Sequence, residues 1–176
     1  MDVATVEVLS ATLAVITGAA TVVLWALVVS GRGRSAIDLV AETRGTLTAL
    51  IAGGATLGSL YFSEVAGYVP CRLCWFQRIA MYPIAVIGIV WIIRGGREIR
   101  WYVVTIAALG SLVSAYHYVI EWNPALDSGA CAATGPACSD VWFREFGFVT
   151  LALMALIAFV AVITVNLVGA DEQSSP

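Results

Sequence analysis

Four cysteines fall in two close pairs, Cys71-x-x-Cys74 and Cys131 with Cys138. Sulfur at such spacing closes a structural disulfide, exchanges electrons, or holds a metal, and the redox compartment helps to decide which. Pro70 precedes the first pair and an apolar run opens at Trp75. A helix therefore begins near these cysteines. Amide groups exposed at a helix amino terminus favour a thiolate, and Cys-x-x-Cys spacing lowers the pKa further. Arg78 stands four residues beyond Cys74, on the same helical face and one turn deeper. A cation there favours a thiolate at Cys74 or an anion formed nearby. A charge inside a membrane costs about 2.5–3.5 kcal/mol at a central helix position, which makes a functional role the first reading.

Six residues separate Cys131 from Cys138, so the two can close a small loop. Such a bridge either staples an exposed loop or accepts electrons from a partner's thiolate. In the second case, exchange with Cys71 and Cys74 re-oxidises it. The small residues around it favour access. A zinc site needs four convergent ligands at recognisable spacing, so redox chemistry is preferred and no metal site is assigned. His117 is the one histidine. It either bonds between helices, donates to a quinone carbonyl, or shuttles a proton. Glu64 reads as a surface-seeking carboxylate or an arginine partner.

The elements that must hold these residues are membrane helices. The chain has 176 residues, 60% hydrophobic and 12% charged, against about a quarter charged in a soluble domain. A net charge of -3 and the lack of a basic run leave no footprint for nucleic acid. Five apolar stretches approach the roughly 20 residues that cross a bilayer: Val8 to Ser30, Thr46 to Val69, Trp75 to Ile93, Trp101 to Ile120 and Phe146 to Ala170. The first is too long for a signal peptide and carries Asp2 and Glu7 where positive charge belongs, so it is expected to be retained. Gly53, Gly54 and Gly58 in the second suit close helix packing.

All nine cations are arginine. Arg32, Arg34, Arg44, Arg94, Arg97 and Arg100 share one side of a five-span arrangement, and the positive-inside rule makes it cytoplasmic. The amino terminus and both cysteine pairs then lie outside the cytoplasm, and the tail from Asp171 lies within it. Tryptophans near the span ends agree with an aromatic belt. The long connection 121–145 contains turn signals at Asn123-Pro124 and Gly135-Pro136. Val141 to Phe146 mixes aromatic and charged residues and is expected along the interface.

The run Pro70-Cys71-x-x-Cys74-Trp75-Phe76-Gln77-Arg78, followed by Met81-Tyr82-Pro83, resembles the signature of the DsbB family of membrane disulfide-forming oxidoreductases. The likeness extends to Leu60-Tyr61-Phe62-Ser63-Glu64, to Tyr116-His117 and to the loop cysteines, covering about residues 45 to 168. It implies an all-α integral membrane protein with a four-helix bundle, here over 46–170 with the loop 121–145; the amino-terminal helix within 1–45 is a departure, extra to that core, and a tail follows at 171–176. It further implies electron transfer from a DsbA-like thioredoxin-fold partner to a membrane quinone. Carried over by position, Cys131 and Cys138 meet the partner. Cys71 and Cys74 stand beside the quinone, with Cys74 the donor to it. Arg78 and His117 assist the quinone. A vitamin K epoxide reductase-like protein is the nearest rival, against which Gln77-Arg78 argues. A non-enzymatic membrane module with a structural disulfide or metal loop is the rival from another class.

Overall fold

The computed structural model describes residues 2–96, 98–127 and 135–168. Six α-helices carry the described chain: α1 (Val3–Val29), α2 (Arg34–Glu42), α3 (Arg44–Leu60), α4 (Arg72–Arg94), α5 (Ile99–Trp122) and α6 (Leu151–Leu167). A π-helical turn (Tyr61–Val65) extends α3, and a 3-10 turn (Pro124–Leu126) follows α5. The described residues contain no strand, only an isolated bridge between Glu145 and Val149.

Among the described residues, four helical stretches are long and apolar enough to cross a membrane: Val3–Val29, Arg44–Val65, Arg72–Arg94 and Ile99–Trp122. The fifth expected span differs. Its helix begins at Leu151 rather than Phe146, because Phe146 and Gly147 take positive φ (52° and 78°) in a tight turn. Thr150 then caps α6 by accepting from the Leu153 amide. The connection expected at Gly31 to Gly45 also differs, for it contains α2. That short helix leaves Leu39 exposed and has no apolar run of spanning length.

Helices α3, α4, α5 and α6 form a closed bundle in which each packs on the next and α6 returns to α3. Helix α1 lies outside this ring against α6, joined by a hydrogen bond from Trp25 Nε1 to Thr164 Oγ1 at 2.9 Å. Apolar side chains such as Val22, Ile79, Val86, Leu109 and Leu112 cover the outside. A soluble monomer rarely shows so continuous an apolar surface, whereas lipid accepts it.

Two glycines allow the ring to close. A Cβ on Gly110 would stand 2.4 Å from the Phe159 ring, and one on Gly88 would stand 2.9 Å from the Ala49 backbone. The glycines expected to serve close packing do otherwise. A Cβ on Gly53, Gly54 or Gly58 would meet nothing within 4 Å, so those positions leave room instead of closing it. At the end away from the cysteines, buried Asn166 donates to Thr48 Oγ1 at 3.0 Å, and Arg44 donates to the Val168 carbonyl at 2.6 Å. Both tie α6 to α3 across an apolar interior.

Candidate functional site

Helix α4 begins at the first cysteine pair. Cys71 is its N-cap, with extended backbone (φ -71°, ψ 173°), and its sulfur accepts from the Cys74 amide at 3.3 Å. Sulfur seldom takes this position, which serine, threonine or aspartate usually fills to satisfy an orphan amide. Here the cap places a thiol at the positive end of the helix. The two sulfurs lie 3.0 Å apart and both are free thiols. A disulfide between them requires little movement.

The Cys71 thiol is held far below its ordinary range, at about 4. The hydrogen bond from the Cys74 thiol is the largest cause; burial opposes it, and His117 adds a further hydrogen bond. His117 Nε2 lies 3.7 Å from Cys71 Sγ and 3.1 Å from the Cys138 carbonyl oxygen, while Nδ1 lies 3.0 Å from Gln77 Nε2. Gln77 Nε2 can only donate, so Nδ1 accepts. The ring proton then sits on Nε2, facing both the sulfur and the loop carbonyl.

Glu121, one turn beyond His117, brings Oε1 to 4.0 Å from Nε2. Its Oε2 accepts from Thr150 Oγ1 at 2.6 Å, and Arg144 donates to its backbone carbonyl at 3.4 Å. His117, Glu121 and Thr150 are all buried.

Cys138 is disulfide-bonded. Its expected partner Cys131 lies outside the described residues, which cover the connection only at 121–127 and 135–145. Cys138 itself is 0% exposed and packs with Cys71, Leu73 and Ile120. The expectation of an open, accessible bridge fails at this cysteine, because the backbone after Pro136 turns inward to reach His117. One sulfur of the loop pair therefore rests in the same small cluster as Cys71.

Cys74 borders a second environment. A cavity of about 420 Å³ opens beside it, lined also by Arg78, Tyr82, Gly54, Gly58 and Leu13. Arg78 Nε donates to Ser59 Oγ and Nη2 to the Ser59 carbonyl, each at 3.0 Å. The Trp75 ring lies 5.3 Å from the guanidinium carbon, a cation–π distance. Arg78 is thus held at the cavity edge by a neutral anchor.

Three rings roof the cavity. Tyr68 stacks between Phe62 and Trp142, with centroids 5.7 and 4.7 Å away and planes within 6° of parallel in both cases. The Tyr68 hydroxyl donates to Glu7 of α1. Burial, then that carboxylate, push its pKa up to about 12. Trp142 was expected along the interface; it is half-exposed and completes this stack.

The structure brings Cys71, Cys74, Arg78, His117 and Cys138 to one end of the bundle. Sequence reasoning gave no role to Gln77, Ser59, Tyr68, Glu7 or Glu121. Two carried a usable signal, since Gln77 follows Cys74 by three residues and Glu121 follows His117 by four, both same-face spacings. The other three reach the site across different elements, which spacing along the chain does not show. Cys71, Cys74 and His117 also offer three ligand atoms within 4.8 Å of one another.

Residues 42–169 match the family model described as disulfide bond formation protein DsbB. Disulfide bond formation protein C of Bacillus subtilis is 39% identical over 120 residues, 68% of this chain and 87% of the relative. A probable disulfide formation protein C of Halalkalibacterium halodurans is 39% identical over 127 residues, 72% of this chain and 90% of the relative. An SPbeta prophage-derived disulfide bond formation protein B of Bacillus subtilis is 32% identical over 112 residues, 64% and 75% respectively. No solved structure matches. With its apolar helices, its paired sulfurs and these relatives, the chain belongs to the DsbB family of multi-pass membrane oxidoreductases that form disulfide bonds.

Proposed function

We propose that this protein re-oxidises a DsbA-like, thioredoxin-fold protein outside the cytoplasm and passes the electrons to a membrane quinone. The observation that carries the reading is the division of the Cys71–Cys74 pair. Cys71 packs with Cys138, and Cys74, which packs against the same cluster, also borders the apolar cavity that Cys71 does not reach. One pair therefore has a sulfur toward each neighbouring station.

The relay proceeds by two exchanges. A partner thiolate attacks the Cys131–Cys138 disulfide. Because Cys138 is buried, we assign the attack to Cys131, with Cys138 leaving as thiolate. When the partner's second thiol closes its own disulfide, the Cys131–Cys138 dithiol carries two electrons. Cys138 then attacks Cys71 of an oxidised Cys71–Cys74 pair, releasing Cys74. Closing Cys131–Cys138 again leaves the dithiol at Cys71 and Cys74. A low-pKa leaving thiol speeds exchange, and Cys71 meets that need each time it departs. His117 supplies an Nε2 proton beside that sulfur, and buried Glu121 steadies it.

The cavity fits a quinone. Its walls are largely apolar, and Gln77, Arg78 and Tyr82 line it from α4, the helix that carries Cys74. Pockets of about 300–1,000 Å³ accept drug-sized ligands, and about 420 Å³ lies within that range. Arg78 and Tyr82 would hold the ring's oxygens, and Ser59 keeps the guanidinium placed. When bound, a quinone accepts two electrons and two protons. We assign 46–170 as the catalytic core, 1–45 as an added membrane unit and 171–176 as a cytoplasmic tail. The arginine distribution supports that orientation.

The test mixes purified protein, a reduced thioredoxin-fold protein and a quinone, and follows quinol formation. Turnover is expected with wild-type protein and its loss with Cys138→Ala; retained turnover in that variant would sink the relay. The sulfur–imidazole cluster favours one competing reading, a Cys2His metal centre. Stoichiometric zinc in the purified protein, with quinol formation absent, would establish it instead.

A further inference from the structure

We infer that α1 is a ligand-binding element: with α3 it forms a groove for the hydrocarbon tail of the lipid-soluble electron acceptor. The inference rests on the quinone reading above. Residues 1–41 lie outside the family match at 42–169, so the core fold assigns α1 no task. Yet Ser10, Leu13, Ala14 and Thr17 line the cavity. Their spacing is that of one helical face, so α1 turns a continuous stripe to it.

A second wall is α3, beside α6, which adds Leu151, Met154 and Ala155. On α3, Leu50, Ile51, Gly54, Ala55, Gly58 and Ser59 line the cavity, a stretch about 13 Å long at helical rise. The two glycines leave open space where side chains would otherwise stand. The cavity thus runs from Ser59, which holds Arg78, away from the sulfurs and along α3. An engineered cavity of about 150 Å³ holds benzene. About 420 Å³ therefore leaves much room beyond a single ring.

The chemistry of this extension is that of hydrocarbon. Ser10 Oγ donates to the carbonyls of Val6 and Glu7, and Thr17 Oγ1 donates to that of Leu13. Their hydroxyl protons are already engaged within α1. What α1 offers the groove is Leu13, Ala14 and spent hydroxyls. The polar end at Arg78 and the apolar remainder match one molecule with a polar ring and a prenyl tail. A lipid acyl chain matches only the second part.

The test uses the full-length protein in lipid nanodiscs with two probes built on one quinone ring. One is bare, and the other carries a prenyl tail ending in a diazirine. Illumination and peptide mapping should place the label on α1 between Ser10 and Thr17, or on α3 between Leu50 and Gly58. Ala14→Phe and Gly54→Leu fill the groove from two of its walls. Each should cut the labelling several-fold and raise the KM ratio of tailed to bare quinone by about tenfold, the discrimination a small apolar misfit produces. Label found only on lipid-facing residues of α4 and α5, or an unchanged ratio in both variants, overturns the groove. If wild-type protein fails to reduce even the bare ring, the quinone reading itself fails and the groove falls with it.

Discussion

Cys71 and Cys74 are three residues apart and share one buried cluster, yet only Cys74 also borders the apolar cavity. Cys71 lies within a buried polar network: the ring of His117, the side chain of Gln77 that orients it, the Cys138 carbonyl and the Glu121 carboxylate. Cys74 lies at the mouth of an apolar cavity whose one anchored cation is Arg78. The contrast arises from one helix start. An N-cap side chain folds back over the first turn, while a residue inside that turn projects sideways from the helix. A dithiol divided in this way can exchange protons and disulfides on one side and electrons on the other.

The largest expected effects attack the division itself. Cys71→Ser and Cys74→Ser should each reduce quinol formation to background. Their intermediates should differ: Cys74→Ser should trap a mixed disulfide between Cys71 and Cys138, visible by mass spectrometry, whereas Cys71→Ser should trap none. Equal trapping in both variants would erase the distinction between the two sulfurs.

Arg78→Ala comes next. Loss of one charged hydrogen-bonding group is worth about 1.5–3 kcal/mol, so the quinone KM should rise at least about tenfold. The exchange between a reduced partner and the loop disulfide, followed in a single turnover without quinone, should keep its rate. A fall in that rate would place Arg78 on the wrong side of the comparison.

His117→Ala probes the polar side. In the reduced protein, thiolate absorbance should persist as pH falls and be half lost near the Cys71 pKa of about 4. His117 supports the charged form, so its removal should move that midpoint upward, toward the ordinary thiol value. The Cys74 hydrogen bond, the larger cause, should keep it below that value. An unmoved midpoint would remove His117 from the thiolate's support.

The smallest expected effect is that of Tyr68→Phe. It removes the hydroxyl bonded to Glu7 but keeps the three-ring stack. A single hydrogen bond is worth about 0.5–1.5 kcal/mol net, so melting should shift by only a few degrees. Proteolysis of α1 should quicken if this contact helps to fasten it.

Much of the site was legible because its parts lie close in sequence. The helix start at Pro70-Cys71, the Arg78 spacing and the apolar lengths all follow from local chemistry. The bundle was legible for the same reason, as five apolar runs admit few arrangements. What sequence reasoning missed was set by contact across elements. Glycines in an apolar run suit either close packing or open space, and only the neighbouring helices decide. Gly110 faces Phe159, whereas Gly54 faces the cavity. Cys138 carries no sign in its own loop that its carbonyl meets His117. The start of α6 was misplaced because Phe146 and Phe148 extend the hydrophobic pattern through a turn that the positive φ of Phe146 creates.

Helix α6 has one further consequence. Its 17 residues span about 25 Å, less than the roughly 30 Å hydrocarbon thickness. A short helix facing lipid obliges the bilayer to thin around it, at a cost for each ångström of mismatch. The 27-residue α1 stands against α6 and presents lipid with a full-length surface in its place. By length, α1 gives the protein a full-span apolar surface on the side where its bundle helix is shortest.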